Sequence, residues 1–288
     1  MGVPYDEYIR TLQQNRVNKS YEFVRSSVKH LHFSIQGNQL SVQDGVNGVS
    51  CLDYDCIYLR FCRNRPQQTK SLALFAAKNG IPLIGRHVLH TESSSKLAEY
   101  SELAGQGLPL IDSFSATGGQ IRKVFRNNPP LEYPVIAKSI TGTLGSNNHL
   151  INSFVELEKL LQVYPDTTFI LQRFIPNDGD YRILIMDGQP AVVLYRSRTH
   201  GHLNNTSQGS SALVLTLEEV PSELLETSRR AARILDRDDL CGVDIVVDKT
   251  DNAHYVLEVN RNPQIETGAA INQKSTALNQ FVARLMGV

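Results

Sequence analysis

The 288-residue sequence has no tryptophan, only four cysteines and three methionines, and no excess of either charge, with 29 Lys+Arg against 29 Asp+Glu. A chain without a basic surplus is not built to track a nucleic-acid backbone, and it carries no polybasic membrane anchor. No apolar run approaches the length of a membrane span, and the opening MGVPYDEYIRTLQQ lacks the apolar centre of a signal peptide. A cytoplasmic protein is therefore expected. Cys51, Cys56 and Cys62 stand close together, but their spacing fits no common zinc knuckle and no paired histidines follow. Cys56, inside the apolar run CIYLRF, reads as a small hydrophobe. Also missing are a G-x-x-x-x-G-K-[ST] phosphate loop, a G-x-G-x-x-G turn after a strand, and any Ser/His/Asp or Cys/His constellation. What remains, 41% hydrophobic and 20% charged, is a globular chain long enough for a sizeable core.

Hydrophobic spacing divides it in two. Residues 1–30 predict helix, through EYIRTLQQ and YEFVRSSV. LHFSI (31–35), CIYLRF (56–61) and IPLIG (81–85) predict strands. QTKSLALFAAKNG, between the last two, predicts a helix with an apolar face of Leu72, Leu74, Phe75 and Ala76, stopped by Asn79-Gly80. Strand, helix, strand implies a small parallel α/β unit ending near residue 93. Beyond it come helix ESSSKLAEYSELAGQG, strand PVIAK (134–138), a glycine-containing loop and helix SFVELEKLLQVY. Strands TFILQRF, YRILIMD and PAVVLYR follow, the last two joined by an Asp187-Gly188 hairpin turn. The polar stretch THGHLNNTSQGSS (199–211) is too long for a simple turn and reads as a lid. Helix EEVPSELLETSRRAARILD, strands CGVDIVV and HYVLEVN and a last helix complete the chain. The expected fold class is α/β plus α+β, with domains 1–93 and 94–288.

The richest chemistry lies in CGVDIVVDKTDNAHYVLEVNRNP. Glu258 and Asn260 are two apart on a strand and so share a face, and a neighbouring strand can bring Asp244 opposite them. Three hard oxygen donors without Cys or His suit Mg²⁺ better than edge carboxylates on a solvated face would require. In PVIAKSITGTLGSNN, Lys138 ends a strand before Gly142 and Gly145, a pattern in which a point charge and close backbone N–H groups meet phosphate. Asp180 and Arg182 alternate to one side where the chain re-enters its ladder, which also suits a salt-bridged hairpin rim. Arg196 and Arg198 leave the next strand on one face as a candidate phosphate clamp. His200 and His202 read as loop histidines, with no carboxylate to complete a metal site.

The order of these segments resembles the ATP-grasp superfamily, closest to the ribosomal-protein-modifying glutamate ligases and bacterial glutathione synthetases, over roughly residues 53–265. The resemblance implies an ATP-grasp fold behind a small N-terminal parallel α/β domain, two lobes gripping ATP and Mg²⁺, with Mn²⁺ as a substitute. It places Lys96 and Lys138 on phosphate, with Gly142 and Gly145 in the loop. Gln172, Arg173, Phe174 and Ile175 match the adenine hinge, Asp180 the ribose- or nucleotide-contacting acid, and Asn205 a nucleotide-loop asparagine. Arg196, with Arg182 behind it, matches the stabiliser of the acyl phosphate, and Arg60 a substrate-facing arginine. Asp244, Glu258 and Asn260 match the metal ligands. The sequence departs from the pattern at Ser139, Asn147, Arg173, Leu203, Asn204, Arg261 and Asn262, which touches substrate identity most. The implied activity is an ATP-dependent carboxylate–amine ligase forming an amide or peptide bond through an acyl phosphate, on an amino acid or peptide. A homo-oligomer is compatible with it. An ATP-binding regulatory module without ligation, or an ATP-dependent phosphotransferase, would keep the same nucleotide residues.

Overall fold

The computed structural model describes residues 5–60, 62–90, 95–140, 148–197 and 212–288. Helix α1 (Tyr5–Gln14) is shorter than the helical spacing of residues 1–30 suggests, and no helix forms over YEFVRSSV. Tertiary contacts explain the difference. Gln13 and Arg16 donate to the carbonyls of Phe23 and Tyr21, and both aromatic side chains pack on the core beneath the C-terminal helix.

Strands β1 (Leu31–Gln36), β2 (Gln39–Asp44) and β3 (Val49–Ser50) form an antiparallel meander, of which only the first strand was expected. Gly37 and Asn38 turn β1 into β2 with positive φ of 55° and 64°, the geometry of a two-residue hairpin. The expected parallel unit follows: β4 (Ile57–Tyr58) and β5 (Leu83–Ile84) pair in parallel around helix α2 (Pro66–Lys78). Its buried face is Leu72, Ala73, Phe75 and Ala76; Leu74, expected there, is 53% exposed.

After helix α3 (Lys96–Gly105) come two lobes. The first is a four-stranded antiparallel sheet of β6 (Ser113–Ala116), β7 (Val135–Ser139), β8 (Asn148–Ile151) and β9 (Phe169–Arg173), in the order β6-β9-β7-β8. Helices α4 (Gly118–Asn127) and α5 (Phe154–Val163) contribute Ile121, Phe125 and Leu157 to its core. The second lobe has strands β10 (Gly179–Met186), β11 (Gln189–Ser197), β12 (Ala212–Leu215), β13 (Leu240–Val247) and β14 (His254–Asn260), in the order β12-β11-β10-β13-β14. Asp187 and Gly188 make the β10–β11 turn with positive φ of 53° and 72°, as their sequence predicted.

Alternation along β10 positions everything that follows. Ile183 and Ile185 point into a core shared with helix α6 (Ser222–Ile234). Leu184 and Met186 point the other way, into a core shared with Leu278 and Phe281 of helix α7 (Ile271–Met286) and with Tyr8 and Leu12 of α1. Asp180 and Arg182 fall on the Leu184 face of the same strand. That face is therefore apolar where α7 covers it and charged towards the first lobe. Truncation at the centre, Ile183→Ala, should cost about 2–5 kcal/mol, read as a lower urea midpoint at an unchanged m-value.

Candidate active site

Antiparallel register assembles the charged face. Asp180 of β10 stands opposite Arg196 of β11, and Arg182 opposite Asp244 of β13. Both pairs become bidentate: Arg196 donates to the two carboxylate oxygens of Asp180 at 2.6 and 2.7 Å, and Arg182 to those of Asp244 at 2.7 and 2.6 Å. Arg196 also reaches Asp244 at 3.1 Å, which links the four groups. Space is tight beside this ladder, since a Cβ on Gly179 would lie 2.5 Å from the Arg196 carbonyl oxygen. β14 adds Glu258 opposite Asp244, and Asn260, whose amide donates to Asp244 at 3.3 Å. The three expected oxygen ligands are thus neighbours.

The electrostatics follow burial and pairing. Burial opposes ionisation of Asp244, but Arg182 and Arg196 hold its pKa below the ordinary carboxylate value. Asp180 is pushed up, by burial and by the Asp244 charge, against the pull of Arg196. Facing this ladder from β7 is Lys138. Burial and the charge of Lys96 push its pKa down to about 8, against the attraction of Glu258, Asp244 and Asp180. The two lysines and the three acids therefore share one field.

Of these residues, Lys138, Asp180, Arg196, Asp244 and Glu258 line an open cleft of about 770 Å³, mouth included, between the lobes; Lys96, Arg182 and Asn260 are not part of its lining. Ile111, Ile136, Ile175, Val246 and Leu257 form its apolar walls, and Gln172, Arg173 and Phe174 also line it. Buried Gln172 donates to Ser113 at 3.0 Å, while its side-chain carbonyl oxygen has no hydrogen-bond partner among the described residues. Arg173 donates its backbone N–H to Asp112. Its guanidinium crosses to the second lobe, stacking on Tyr255 at 5.3 Å and approaching Asp248 at 3.5 Å.

Not every expected residue joins this group. Arg60 is buried against Glu266 at 2.5 Å and donates to the Pro263 carbonyl, so it braces the segment after β14 and lines neither cavity. Gly142, Gly145 and Asn205 lie outside the described residues, as do Arg198, His200, His202 and the whole 199–211 stretch. One residue went unnoticed in the sequence. Lys274, 1% exposed, donates at 2.7 Å to the carbonyls of Gln264 and Thr267 and lines a second cavity of about 10 Å³, room for a single water, beside Arg182 and Arg196. Its pKa is lowered to about 8, chiefly by burial. A lysine in register with Leu278, Phe281 and Val282 on the apolar stripe of α7 was the readable signal.

Two sheets closing on a cleft lined by lysine, arginine and carboxylate define an ATP-grasp protein. The chain belongs to the family described as the RimK-like ATP-grasp domain, whose model matches residues 93–281. Among curated relatives, N-acetylaspartylglutamate synthase A of Homo sapiens is 24% identical over 266 residues, covering 90% of this chain and 66% of that protein. Alpha-aminoadipate–LysW ligase LysX of Saccharolobus solfataricus is 26% identical over 200 residues, covering 67% and 70%. The chain thus spans about two thirds of the length of these relatives. Among solved structures, the ATP-grasp ligase PsnB complexed with minimal precursor, Mg and ADP superposes with a TM-score of 0.71 at 14% identity, over 100% of this chain and 97% of that one. No helix among the described residues is long and apolar enough to cross a membrane.

Asp180→Ala would leave Arg196 with Asp244 as its one carboxylate. Losing the two short hydrogen bonds to Asp180 while keeping that one contact should lower the urea midpoint below that of exposed-site controls, by about 1–3 kcal/mol in stability.

Proposed function

We propose that this chain is an ATP-dependent carboxylate–amine ligase acting on an amino acid or a peptide. One observation carries the reading: Lys138, with Lys96 beside it, faces Asp180, Asp244 and Glu258 across a cleft whose far walls are apolar. Cations for phosphates, acids for a divalent ion and an apolar slot for a base are the parts that gripping a nucleotide requires. The carbonyl oxygen of Gln172, buried in that slot and without a partner among the described residues, suits an amino group on a purine. The names of the relatives, a synthase and a ligase, support the reaction class.

Asp244, Glu258 and Asn260 fit a magnesium ion in donor chemistry, all hard oxygens on adjacent strands. Arg182 and Arg196 already hold Asp244, so a cation there shares that carboxylate with them. When bound, the ion supplies positive charge to the phosphates; Mn²⁺, with the same preference for oxygen, can replace it. Transfer of the γ-phosphoryl group from ATP to a carboxylate releases ADP and gives an acyl phosphate, from which an amine, losing a proton, displaces phosphate to leave an amide. The protein's share is positioning and charge. Lys138 and Lys96 neutralise phosphate oxygens, and Arg196 with Arg182 offers N–H donors to the charge that develops on the transferred group. No side-chain nucleophile is required.

Phosphate release from ATP on adding amino acids and short peptides tests the activity, and the mass of the product separates an amide from a phosphate ester. Asp244→Ala and Lys138→Ala should each lower release by about 100-fold or more; full activity in either would sink the assignment. Lys138 is protonated below its pKa of about 8 and neutral above it. Nucleotide affinity should therefore hold to pH 7.5 and fall as pH passes through 8, whereas Lys138→Arg, charged throughout, should titrate flat in calorimetry.

A further inference from the structure

Helix α3 begins at Lys96, with Ser95 capping it by accepting from the Ala98 N–H. Lys96, Glu99 and Tyr100 stand at i, i+3 and i+4, one stripe of the helix. The other two members of the stripe are both attached to β14. The Tyr100 hydroxyl is shared between the carbonyls of Val256, at 3.1 Å, and Leu257, at 2.9 Å, and also meets the side chain of Gln172. Glu99 accepts from Arg237 at 2.6 Å, and the same guanidinium donates to the carbonyl of Val259 at 2.6 Å.

These attachments fall at a particular place in the strand. Between β13 and β14, Asp244 pairs with Glu258 but Ile245 pairs with Val256, so Leu257 is an extra residue, a bulge immediately before Glu258. A bulge breaks the ladder and re-aims the next side chain; here Tyr100 takes up the carbonyls on either side of the break. Val259, held by Arg237, lies between Glu258 and Asn260. The direction of both oxygen donors is therefore set by contacts to the helix that starts with Lys96. Stability alone is a poor reason for this arrangement. Arg237 is 2% exposed, and a buried ion pair gains little over apolar residues of the same size.

We infer that Tyr100 and the Glu99–Arg237 pair are positioning residues that fix the carboxylate of Glu258 and the carboxamide of Asn260 relative to Lys96, so that metal and phosphate are held in one geometry. This inference rests on the nucleotide reading above. It assigns no chemistry to the three side chains: they act through the β14 backbone and through α3. Tyr100→Phe keeps the ring and removes only the hydroxyl. Glu99→Gln keeps the shape, removes the charge and is the variant that leaves the nucleotide slot untouched, since Tyr100 and not Glu99 meets Gln172.

Calorimetric titration with the β,γ-imido analogue of ATP, with and without MgCl₂, tests it without any turnover. For the wild-type chain, Mg²⁺ should tighten binding. In each variant the metal-free affinity should stay within about twofold of wild type, and the gain from Mg²⁺ should shrink about 10-fold, the usual effect of disturbing groups that orient metal ligands. Urea midpoints are measured alongside; should Tyr100→Phe fail to fold, Glu99→Gln decides. Variants that keep the full gain from Mg²⁺ overturn the inference. So does a parallel loss of metal-free and metal-dependent binding with a lowered midpoint, the mark of a merely structural role. A wild-type chain that binds no analogue in either condition sinks the nucleotide reading itself, and is recognised before any variant is compared.

Discussion

A carboxylate taken out of water needs a cation or several hydrogen-bond donors in its place, and the second sheet is organised by the first of these solutions. Asp180, Arg196, Asp244 and Arg182 answer one another across three strands, two acids to two guanidiniums. The set is neutral as a whole, so it can lie under the cleft without a large field of its own. A ligand meets its cleft-facing members, Asp180, Arg196 and Asp244, together with Glu258 beside them and Lys138 opposite. The balance of 29 against 29 charges in the whole chain hides this arrangement, in which opposite signs are matched across neighbouring strands. The ladder also sets strict terms for the backbone, since the approach of Gly179 to the Arg196 carbonyl leaves no room for a side chain.

Much of this was legible because a strand has a period of two. Asp180 with Arg182, and Glu258 with Asn260, could be placed on common faces from spacing alone, and the Asp187-Gly188 turn fixed which strands paired. The resemblance to ATP-grasp proteins added Lys96 and Gln172, for which spacing offered no argument. The partners of the arginines were not legible, because register between β10, β11 and β13 depends on which face packs on α7. For that reason the pairing of Arg196, read with Arg198 as a phosphate clamp, to Asp180, and of Arg182 to Asp244, appears only in the folded chain. The partner of Arg60 was hidden in the same way: Glu266 is 206 residues away. Misplaced elements have similar causes. Residues 15–27 follow contacts of Tyr21 and Phe23 with the C-terminal core, and Leu74 lost its expected place to the smaller Ala73, which fits against β2 and β5.

Arg196 has one further property. It lines the large cleft and also the small cavity in front of Lys274. Its single positive charge is divided between Asp180 and Asp244. A substitution at any one of the three therefore reaches the other two, and the floor of the cleft responds to change as one part.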